Sequence, residues 1–383
     1  MADTTVKCFT SAMTGAPTLN GTPGAQIALL DACLINGFGA GAVDSLVVSG
    51  GVATVTRAAG HPFEAGSVAL LAGATVTGGS VNGEQRVLSV TATGYTFAAA
   101  GIPNQTASGS ITHKLAPLGW AKTYSGTNQA AYSRTDVTAT AHVLAVDDTA
   151  AKYALLRGYE AMSAVATGTN PFPSVAQATS GIYWAKSATA DSTSRPWMLV
   201  GNGRRFVLYV QHNSTSWGTT TSFGDFISRK SPDAYACVLQ GGNTDYSTSG
   251  SSSSFDIGYC QVGALSLAYA PRNWAGLSGS TQMAVQVSLP CGSYSGLSGN
   301  GSWSFPAQAD NGLYVAPMSV AEGASVNIYR GDLPGLYWCP QYMGTAFYPA
   351  MSSVVGINAL PGRTLRALVN SAGPMFVDMT GPW

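Results

Sequence analysis

The sequence predicts an all-β protein with a large aromatic-rich β-sandwich, a small inserted β-barrel-like module and one short N-terminal helix. Forty-six glycines and 19 prolines separate short apolar runs, a composition that favours strands joined by turns. Hydrophobic residues form 45% and aromatic residues 10% of the 383 residues, so the chain can bury a large core. Helical periodicity, by contrast, occurs in a single short segment.

That segment is GAQIALLDACLIN at residues 24–36, whose apolar residues recur on one helix face. They are Ile27, Leu30 and Leu34. Thr22 is the predicted N-cap, Pro23 suits the first helical position, and Gly37 provides a left-handed stop. Residues 1–43 are therefore expected to form an N-terminal arm and a short helix that belong to the main domain.

Residues 44–116 are expected to form the small inserted module. Six short β-prone runs lie here: Leu46–Val48, Val52–Val55, Val68–Leu71, Arg86–Val90, Tyr95–Phe97 and Ile111–His113. Glycine-containing turns such as Gly78-Gly79 and Asn82-Gly83 separate them. Six strands in so short a span suit a small barrel or a compact sandwich.

Residues 117–383 are expected to form the large β-sandwich, because their strands are longer and more aromatic. The predicted strands are His142–Val146, Tyr153–Tyr159, Ile182–Ala185, Pro196–Val200, Ala234–Leu239, Met283–Leu289, Leu313–Val315, Val326–Arg330, Thr364–Val369 and Met375–Met379. Gly201-Asn202-Gly203 joins two β-rich runs and predicts a hairpin. In the Arg204-Arg205 doublet that follows, one side chain is expected to face water and the other the sheet, guarding a sheet edge.

The low charge content predicts association with other chains. Charged residues make up 9% of the chain, against about 25% in a typical soluble domain. Eighteen Lys and Arg balance 18 Asp and Glu, so the net charge is zero and electrostatic protection against association is weak. The lack of a basic surplus argues against nucleic-acid binding. Neither a membrane-spanning apolar run nor a signal peptide is apparent, so no membrane insertion is expected.

No residue pattern points to catalysis, a metal or a cofactor. The six cysteines show no C-x-x-C spacing and no histidine lies near them, so buried free thiols are expected. The four histidines form no ligand pair, and no G-x-S-x-G nucleophile elbow occurs. Asp147 and Asp148 lie between two strands, where a hydrogen-bonded turn is favoured over Ca²⁺ ligation. A polysaccharide depolymerase stays open as an alternative, because two catalytic carboxylates converge only in three dimensions.

Five aromatic residues are candidates for glycan stacking or for subunit interfaces: Trp184, Trp217, Tyr246, Trp274 and Trp303. Packing in the core or between subunits is favoured for them, since strand aromatics usually point inward. The alternative function is that of a host-surface adhesin. In that case these aromatic residues would bind glycans together with loops at 212–222, 241–254 and 289–310.

Several segments resemble known sequences. They are LLDACLINGFG (29–39), HPFEAGSVALLAG with NGEQRVLSV and YTF (61–97), VLAVDDT (143–149), LRGYEAMSAVATGTNPFP (156–173), YWAKS (183–187), RPWMLVGNGRRF (195–206), and NALPGR with FVDMTGPW (358–383). Together they resemble a family of tailed-bacteriophage virion structural proteins associated with the tail, baseplate or fibre. The family carries no assigned catalytic residues, so none is transferred to this chain.

The resemblance implies a structural role without enzymatic activity or a cofactor. The chain would assemble with itself, as a trimer or hexamer, and dock to other phage virion proteins after synthesis in the cytoplasm of the bacterial host. Closed symmetry would prevent open-ended aggregation of so uncharged a protein. A host-surface glycan-binding adhesin and a head decoration or head-fibre protein are the alternatives.

Overall fold

The structure is a computed structural model that describes residues 3–213, 218–242, 268–287, 303–304, 306–322, 328–342, 348–355, 360–370 and 373–383. Strands take up 46% and helices 4%, which confirms the all-β class. The antiparallel sheets curl, so that residues distant in sequence share the same cores.

The predicted helix is present but begins later than expected. Helix α1 (Ala25–Leu30) follows Gly24, whose φ of 81° is left-handed, and it continues as a π-helical segment, Asp31–Asn36. The helix ends at Gly37, as predicted, but the predicted left-handed conformation is wrong, because Gly37 combines a φ of 67° with a ψ of 174°. The predicted N-cap, Thr22, is wrong: its hydroxyl donates to Asn20 Oδ1 at 2.6 Å instead. A side chain more than a hundred residues away caps the helix.

An eight-stranded sheet occupies the chain between the helix and residue 116. After β1 (Lys7–Thr10), its strands are β2 (Gly41–Ala42), β3 (Ser45–Ser49), β4 (Val52–Thr56), β5 (Val68–Ala72), β6 (Gly83–Val90), β7 (Gly94–Ala98), β8 (Gln105–Thr106) and β9 (Thr112–Leu115). Their order is β2-β9-β5-β6-β7-β4-β3-β8. An isolated bridge pairs Thr75, which follows β5, with Ser108, which follows β8. Because β5 and β8 are far apart in the strand order, the sheet curls back on itself. Strand β1 belongs to another sheet.

A six-stranded sheet follows. Its strands are β10 (Trp120–Gly126), β11 (Gln129–Arg134), β12 (Val143–Asp147), β13 (Tyr153–Ala164), β14 (Thr167–Phe172) and β15 (Ile182–Ala185). The first five pair in chain order, and β15 adds to β13. The observed β15 has the predicted bounds, whereas β10, β11 and β14 lack predicted counterparts because their polar and small residues hide the alternation.

The remaining strands build a 13-stranded sheet and a two-stranded one. They are β16 (Trp197–Gly201), β17 (Arg205–Val210), β18 (Thr219–Asp225), β19 (Ile227–Ser228), β20 (Cys237–Gln240), β21 (Ala268–Ala270), β22 (Thr281–Val287), β23 (Trp303–Ser304), β24 (Ala316–Glu322), β25 (Ile328–Trp338), β26 (Gln341–Tyr342), β27 (Ser353–Val354), β28 (Leu365–Asn370) and β29 (Gly373–Asp378). The large sheet runs β1-β16-β17-β18-β20-β21-β22-β24-β25-β29-β28-β27, with β19 beside β25. Strands β23 and β26 form the small parallel pair.

The large sheet is buried on both faces. Phe206 and Leu208 of β17 join a core shared with α1, the eight-stranded sheet and the six-stranded sheet. Their neighbours Val207 and Tyr209 point into a second core enclosed by the curl of the large sheet itself. Tyr209 donates its hydroxyl proton to the carbonyl of Val369 on β28 at 2.6 Å, so opposite parts of this sheet meet across that core.

The hairpin prediction is confirmed, but its arginine interpretation is partly wrong. Strands β16 and β17 pair antiparallel, with Gly201 opposite Phe206. Arg204 is half-exposed and pairs with Asp225 at 3.2 Å, as the water-facing member of the doublet. Arg205 is fully buried and donates to Ser222 Oγ at 2.7 Å. Because β17 lies between β16 and β18, neither arginine guards an edge.

Two further predictions need correction. Leu313–Val315 is not a strand, since β24 begins at Ala316. The loop predicted at 212–222 contains part of β18, Thr219–Asp225, in which every residue is buried. The composition TTTSFGD has no apolar alternation, and tertiary burial between β17 and β20 makes it a strand.

Polar contacts tie the eight-stranded sheet to the rest of the chain. Lys7 of β1 pairs with Glu84 at 2.6 Å, and Arg366 of β28 pairs with Glu64. Arg86 of β6 donates to five backbone carbonyls from three parts of the chain. They belong to Asp3, Val6, Gly66, Met379 and Thr380. The residues of the eight-stranded sheet that make these contacts lie on β6 or in the loop before β5. None of them lies on β3, β4 or β7.

Candidate functional site

Three of the four histidines and the four described cysteines lie in the core rather than in a reactive cleft, whereas His61 is half-buried and its Nε2 lies 2.9 Å from the carbonyl of Thr91. Burial lowers the pKa of His113, His142 and His212 to about 4, so all three are neutral near pH 7. Four free cysteines are buried, and burial raises the pKa of each thiol. They are Cys8, Cys33, Cys237 and Cys339. A nucleophile needs an accessible thiolate, which these residues do not provide.

The buried carboxylates are engaged in structural contacts. Asp225 lies 3.4 Å from Arg134 and accepts hydrogen bonds from the backbone N–H and hydroxyl of Thr140 at 3.0 and 2.7 Å. Arg134 also stacks over the Trp120 and Phe223 rings. This arrangement neutralises a buried charge and satisfies its acceptors, as expected of a structural network.

Asp147 and Asp148 adopt different roles, although they are adjacent. Asp147 accepts the backbone N–H and the hydroxyl of Thr149 at 3.0 and 2.6 Å, which confirms the predicted turn for this residue. Asp148 is fully buried, pairs with Lys186, and accepts the N–H groups of Gln26 and Ile27 at 2.7 and 3.1 Å. Its carboxylate caps the N-terminus of helix α1, where the residue at the N-cap position, Gly24, has no side chain to do so. Burial raises the pKa of Asp148 and lowers that of Lys186.

A cleft of about 460 Å³ beside Arg86 offers few polar groups to a ligand. Apolar side chains such as Leu88, Val355 and Met379 contribute to its lining. The guanidinium of Arg86 is occupied by backbone carbonyls, and the Asp3 carboxylate accepts the N–H and hydroxyl of Thr5 at 2.9 and 2.6 Å. The cleft therefore lacks the convergent polar groups that orient a small-molecule ligand.

Ion pairs consume most of the few charges. Thirteen pairs join residues across the described part of the chain, and twelve different Lys and Arg residues take part, out of 18 in the sequence. Several are buried, such as Arg330 with Glu322 at 2.8 Å and with Asp233 at 3.2 Å. The surface is consequently poorer in unpaired charge than the composition alone indicates.

Among the five predicted aromatic candidates, Trp184 is a core residue and Trp274 is a surface residue. Trp184 is fully buried, donates its Nε1–H to the carbonyl of Gln240 at 2.7 Å and packs edge-on against Phe206. A glycan cannot reach it, so the glycan-stacking role is wrong for Trp184, and the favoured packing in the core is confirmed. Trp274 is 52% exposed. Trp217, Tyr246 and the side chain of Trp303 lie outside the described residues, as do most of the loops at 241–254 and 289–310.

Lys230 contacts the backbone of Trp274, and the adjacent Arg229 contacts a second exposed aromatic residue, Tyr329, and its partner Asp332. Lys230 is exposed and donates from Nζ to the carbonyl of Trp274 at 3.1 Å. Its neighbour Arg229 stacks over the ring of Tyr329 at 5.0 Å and lies 2.8 Å from Asp332. Tyr329 is 41% exposed and donates its hydroxyl proton to Asp332. We call Arg229, Lys230, Trp274, Tyr329 and Asp332 the Trp274 patch.

Contacts with buried and half-buried residues hold the loop that carries Trp274. Both carboxylate oxygens of Glu322, at the end of β24, accept the backbone N–H of Trp274, at 2.8 and 3.1 Å. The loop carrying Trp274 is also anchored by Arg272, which pairs with Glu160 at 2.6 Å and stacks over Tyr235 at 4.5 Å. The indole is therefore presented by a fixed backbone, which reduces the entropy lost on binding.

The chemistry of the patch suits a polar ligand with flat apolar faces. An exposed indole can stack against a sugar ring, while Lys230 and Arg229 donate hydrogen bonds and Asp332 accepts them. The sequence indicated Trp274 but missed Tyr329, which falls inside the predicted strand Val326–Arg330. Tyr329 is exposed because it lies in the first two residues of β25, both of which face solvent. Strand alternation alone does not reveal this.

The described residues contain no cluster of three or more His, Cys, Asp and Glu arranged to hold a metal ion. Within the same residues, no helix combines the length and apolar character required to cross a bilayer. In comparisons with known proteins, the chain matches no protein-family model and no curated protein.

Proposed function

We propose that the chain is a non-enzymatic structural component of a tailed-phage virion, in the tail, baseplate or fibre apparatus. It acts by assembling with itself, as a trimer or hexamer, and by docking to other virion proteins. The observation that carries the proposal is the scarcity of charge: 9% charged residues, most of the basic ones already held in ion pairs. A surface with so little charge is poorly protected against non-specific association, so we expect neighbouring subunits to cover much of it.

The proposed mechanism is assembly on a rigid β scaffold. Curled sheets that share buried cores resist deformation, so contacts made at one surface keep their geometry when another surface is occupied. Each bound neighbour also stabilises the fold by mass action. The segments that resemble virion proteins extend from residue 29 to residue 383 and give the proposal its particle context.

The proposal is tested by locating the chain in purified particles. An affinity-tagged chain is introduced into phage, and gold-labelled antibody is imaged on negatively stained virions. Label at the tail, baseplate or fibres is the expected result. Label on the head shell would replace the tail assignment with the head-decoration alternative. A chain absent from washed particles, although expressed in infected cells, would refute a structural role.

Glycan binding at the Trp274 patch is the second candidate function. The observation that favours it is the exposed indole of Trp274, held by Glu322 and flanked by exposed donors and acceptors. A host-surface adhesin needs such a platform on a rigid scaffold. A structural component can carry an adhesive patch as well, so the two functions are compatible.

Replacing Trp274 by alanine is expected to weaken binding of the purified protein to bacterial surface polysaccharides, measured by glycan array and by whole-cell pull-down. Loss of one stacking platform worth about 1–2 kcal/mol weakens binding by roughly five- to thirtyfold. Val137, 97% exposed and lacking a ring, provides the control variant Val137→Ala, which should bind like the parent. Equal binding by Trp274→Ala and the parent, or no binding by the parent, removes this candidate.

A further inference from the structure

The outer face of the eight-stranded sheet has an unusual composition. Its central cross-strand row contains one residue from each of five neighbouring strands: Thr106, Val47, Thr54, Thr96 and Ser89. Thr54 is the middle member, and four of the five are exposed while Thr96 is half-buried. We call the outward positions of β3, β4 and β7, with their neighbours on β6 and β8, the Thr54 face.

The Thr54 face carries no charge. The outward positions on either side of the central row are Ser, Thr, Val, Ala and Gly, including Val52, which is 38% exposed. The nearest charges in the sequence, Asp44 and Arg57, lie just beyond the strand ends and are occupied locally. Asp44 accepts the N–H of Ala58 at 2.6 Å, and Arg57 donates to the carbonyl of Gly60. Exposed sheet faces normally carry charged residues that prevent association.

The β5–β6 region of the same sheet and the inward face of its strands are already in contact with the rest of the chain. Glu64, Glu84 and Arg86 tie the β5–β6 region to β1, β28 and the C-terminal segment. The inward residues of the five strands, such as Leu46, Val55 and Phe97, fill the core. The fold therefore holds the Thr54 face rigidly, and no described residue covers its exposed positions.

We infer that the Thr54 face packs against the same face of a second copy of this chain, related by a two-fold axis. In such a contact residue i meets residue j and j meets i, so side chains near the axis meet their own copies, and a charge at the centre of the face would meet its own like charge. A face of Thr, Val and Ser avoids that repulsion, and two such faces can stack as the sheets of a sandwich do. The inference rests on the homo-oligomeric part of the proposed function, in its hexameric form, because a hexamer with D3 symmetry contains two-fold contacts and a cyclic trimer does not.

The size of the face sets the expected strength. Strands β3, β4, β6 and β7 lie about 4.8 Å apart and each contribute about five residues of about 3.4 Å, and with the two residues of β8 they cover roughly 360 Å². This is about half of the ~800 Å² that each partner contributes to a standard interface. The isolated pair is therefore weak and concentration-dependent, and other contacts would reinforce it within a larger assembly.

Analytical ultracentrifugation over a wide concentration range tests the inference with the full chain. Thr54→Lys places a charge at the centre of the face and should lower the self-association constant roughly tenfold or more. Thr96→Lys, in the same row, should act alike. Val137→Lys adds the same charge at a fully exposed position elsewhere and should associate like the parent. Circular dichroism and unfolding midpoints show that each variant is folded.

The outcomes separate this inference from the proposed function. If the parent associates and both Thr54→Lys and Thr96→Lys associate equally well, the Thr54 face is not the contact, while assembly through another surface stands. If the parent stays monomeric at its highest soluble concentration, both the inference and the homo-oligomeric part of the proposal fail. A location in the particle is decided independently by the labelling experiment.

Discussion

Replacing Asp148 by alanine is expected to destabilise the folded protein by about 3–5 kcal/mol. The substitution leaves the ammonium of Lys186 buried without its carboxylate and removes the acceptor for the N–H groups of Gln26 and Ile27. Both side chains of the ion pair are 0% exposed, so water cannot replace the lost partner. Urea unfolding followed by circular dichroism measures the loss.

The adjacent residue provides a matched control. Asp147→Ala removes a carboxylate whose contacts are a local turn with Thr149 and one bond from Gln129, at 3.1 Å, and should cost about 1 kcal/mol. The double variant Asp148→Ala with Lys186→Met removes both buried charges and should be more stable than Asp148→Ala alone. Equal destabilisation by the two aspartate variants would contradict the distinct role assigned to Asp148.

Acidification from pH 6.5 towards pH 4 is expected to lower the free energy of unfolding steeply. Burial lowers the pKa of His113, His142 and His212 from 6.5 to about 4, so in this window the unfolded chain binds protons that the folded protein does not. Each such histidine costs about 1.4 kcal/mol per pH unit, or roughly 4 kcal/mol per unit for three. Above about pH 7.5 these groups contribute no slope, because they are neutral in both states.

Denaturant unfolding at a series of pH values measures this slope. Asp148, whose pKa is raised by burial, works in the opposite direction where it titrates, but it is one group against three. His142→Phe keeps an aromatic ring beside Phe172 and removes one titrating group, so it should reduce the slope by about a third. A stability that is flat between pH 6.5 and pH 4.5 would show that the three imidazoles are not buried as neutral groups.

Much of the local structure could be read from the sequence. Short apolar runs between turn residues predicted β3, β4, β5, β7 and β15 with bounds close to the observed ones. The Gly-Asn-Gly hairpin, the stop at Gly37 and the turn at Asp147 followed from local backbone chemistry. Strands without apolar alternation escaped notice, and β18 is the clearest example because its residues are mostly Thr and Ser yet all buried.

The candidate site was only partly predictable for a related reason. Trp184 and Trp274 were equally plausible surface aromatics in the sequence, but one is fully buried and the other is 52% exposed. Their difference depends on what packs over each strand or loop. Tyr329 joins Trp274 through the neighbouring residues Arg229 and Lys230, which are about a hundred positions from Tyr329 in the sequence.

The sequence by itself determined the all-β class, the short helix and the scarcity of charge, because turn chemistry, periodicity and composition are local or additive properties. Only the tertiary structure decided that β1 pairs with β16 nearly two hundred residues later, that Asp148 caps a helix 122 positions away, and that Arg205 is buried. These features depend on burial and on contacts between distant segments, and both are properties of the folded arrangement as a whole.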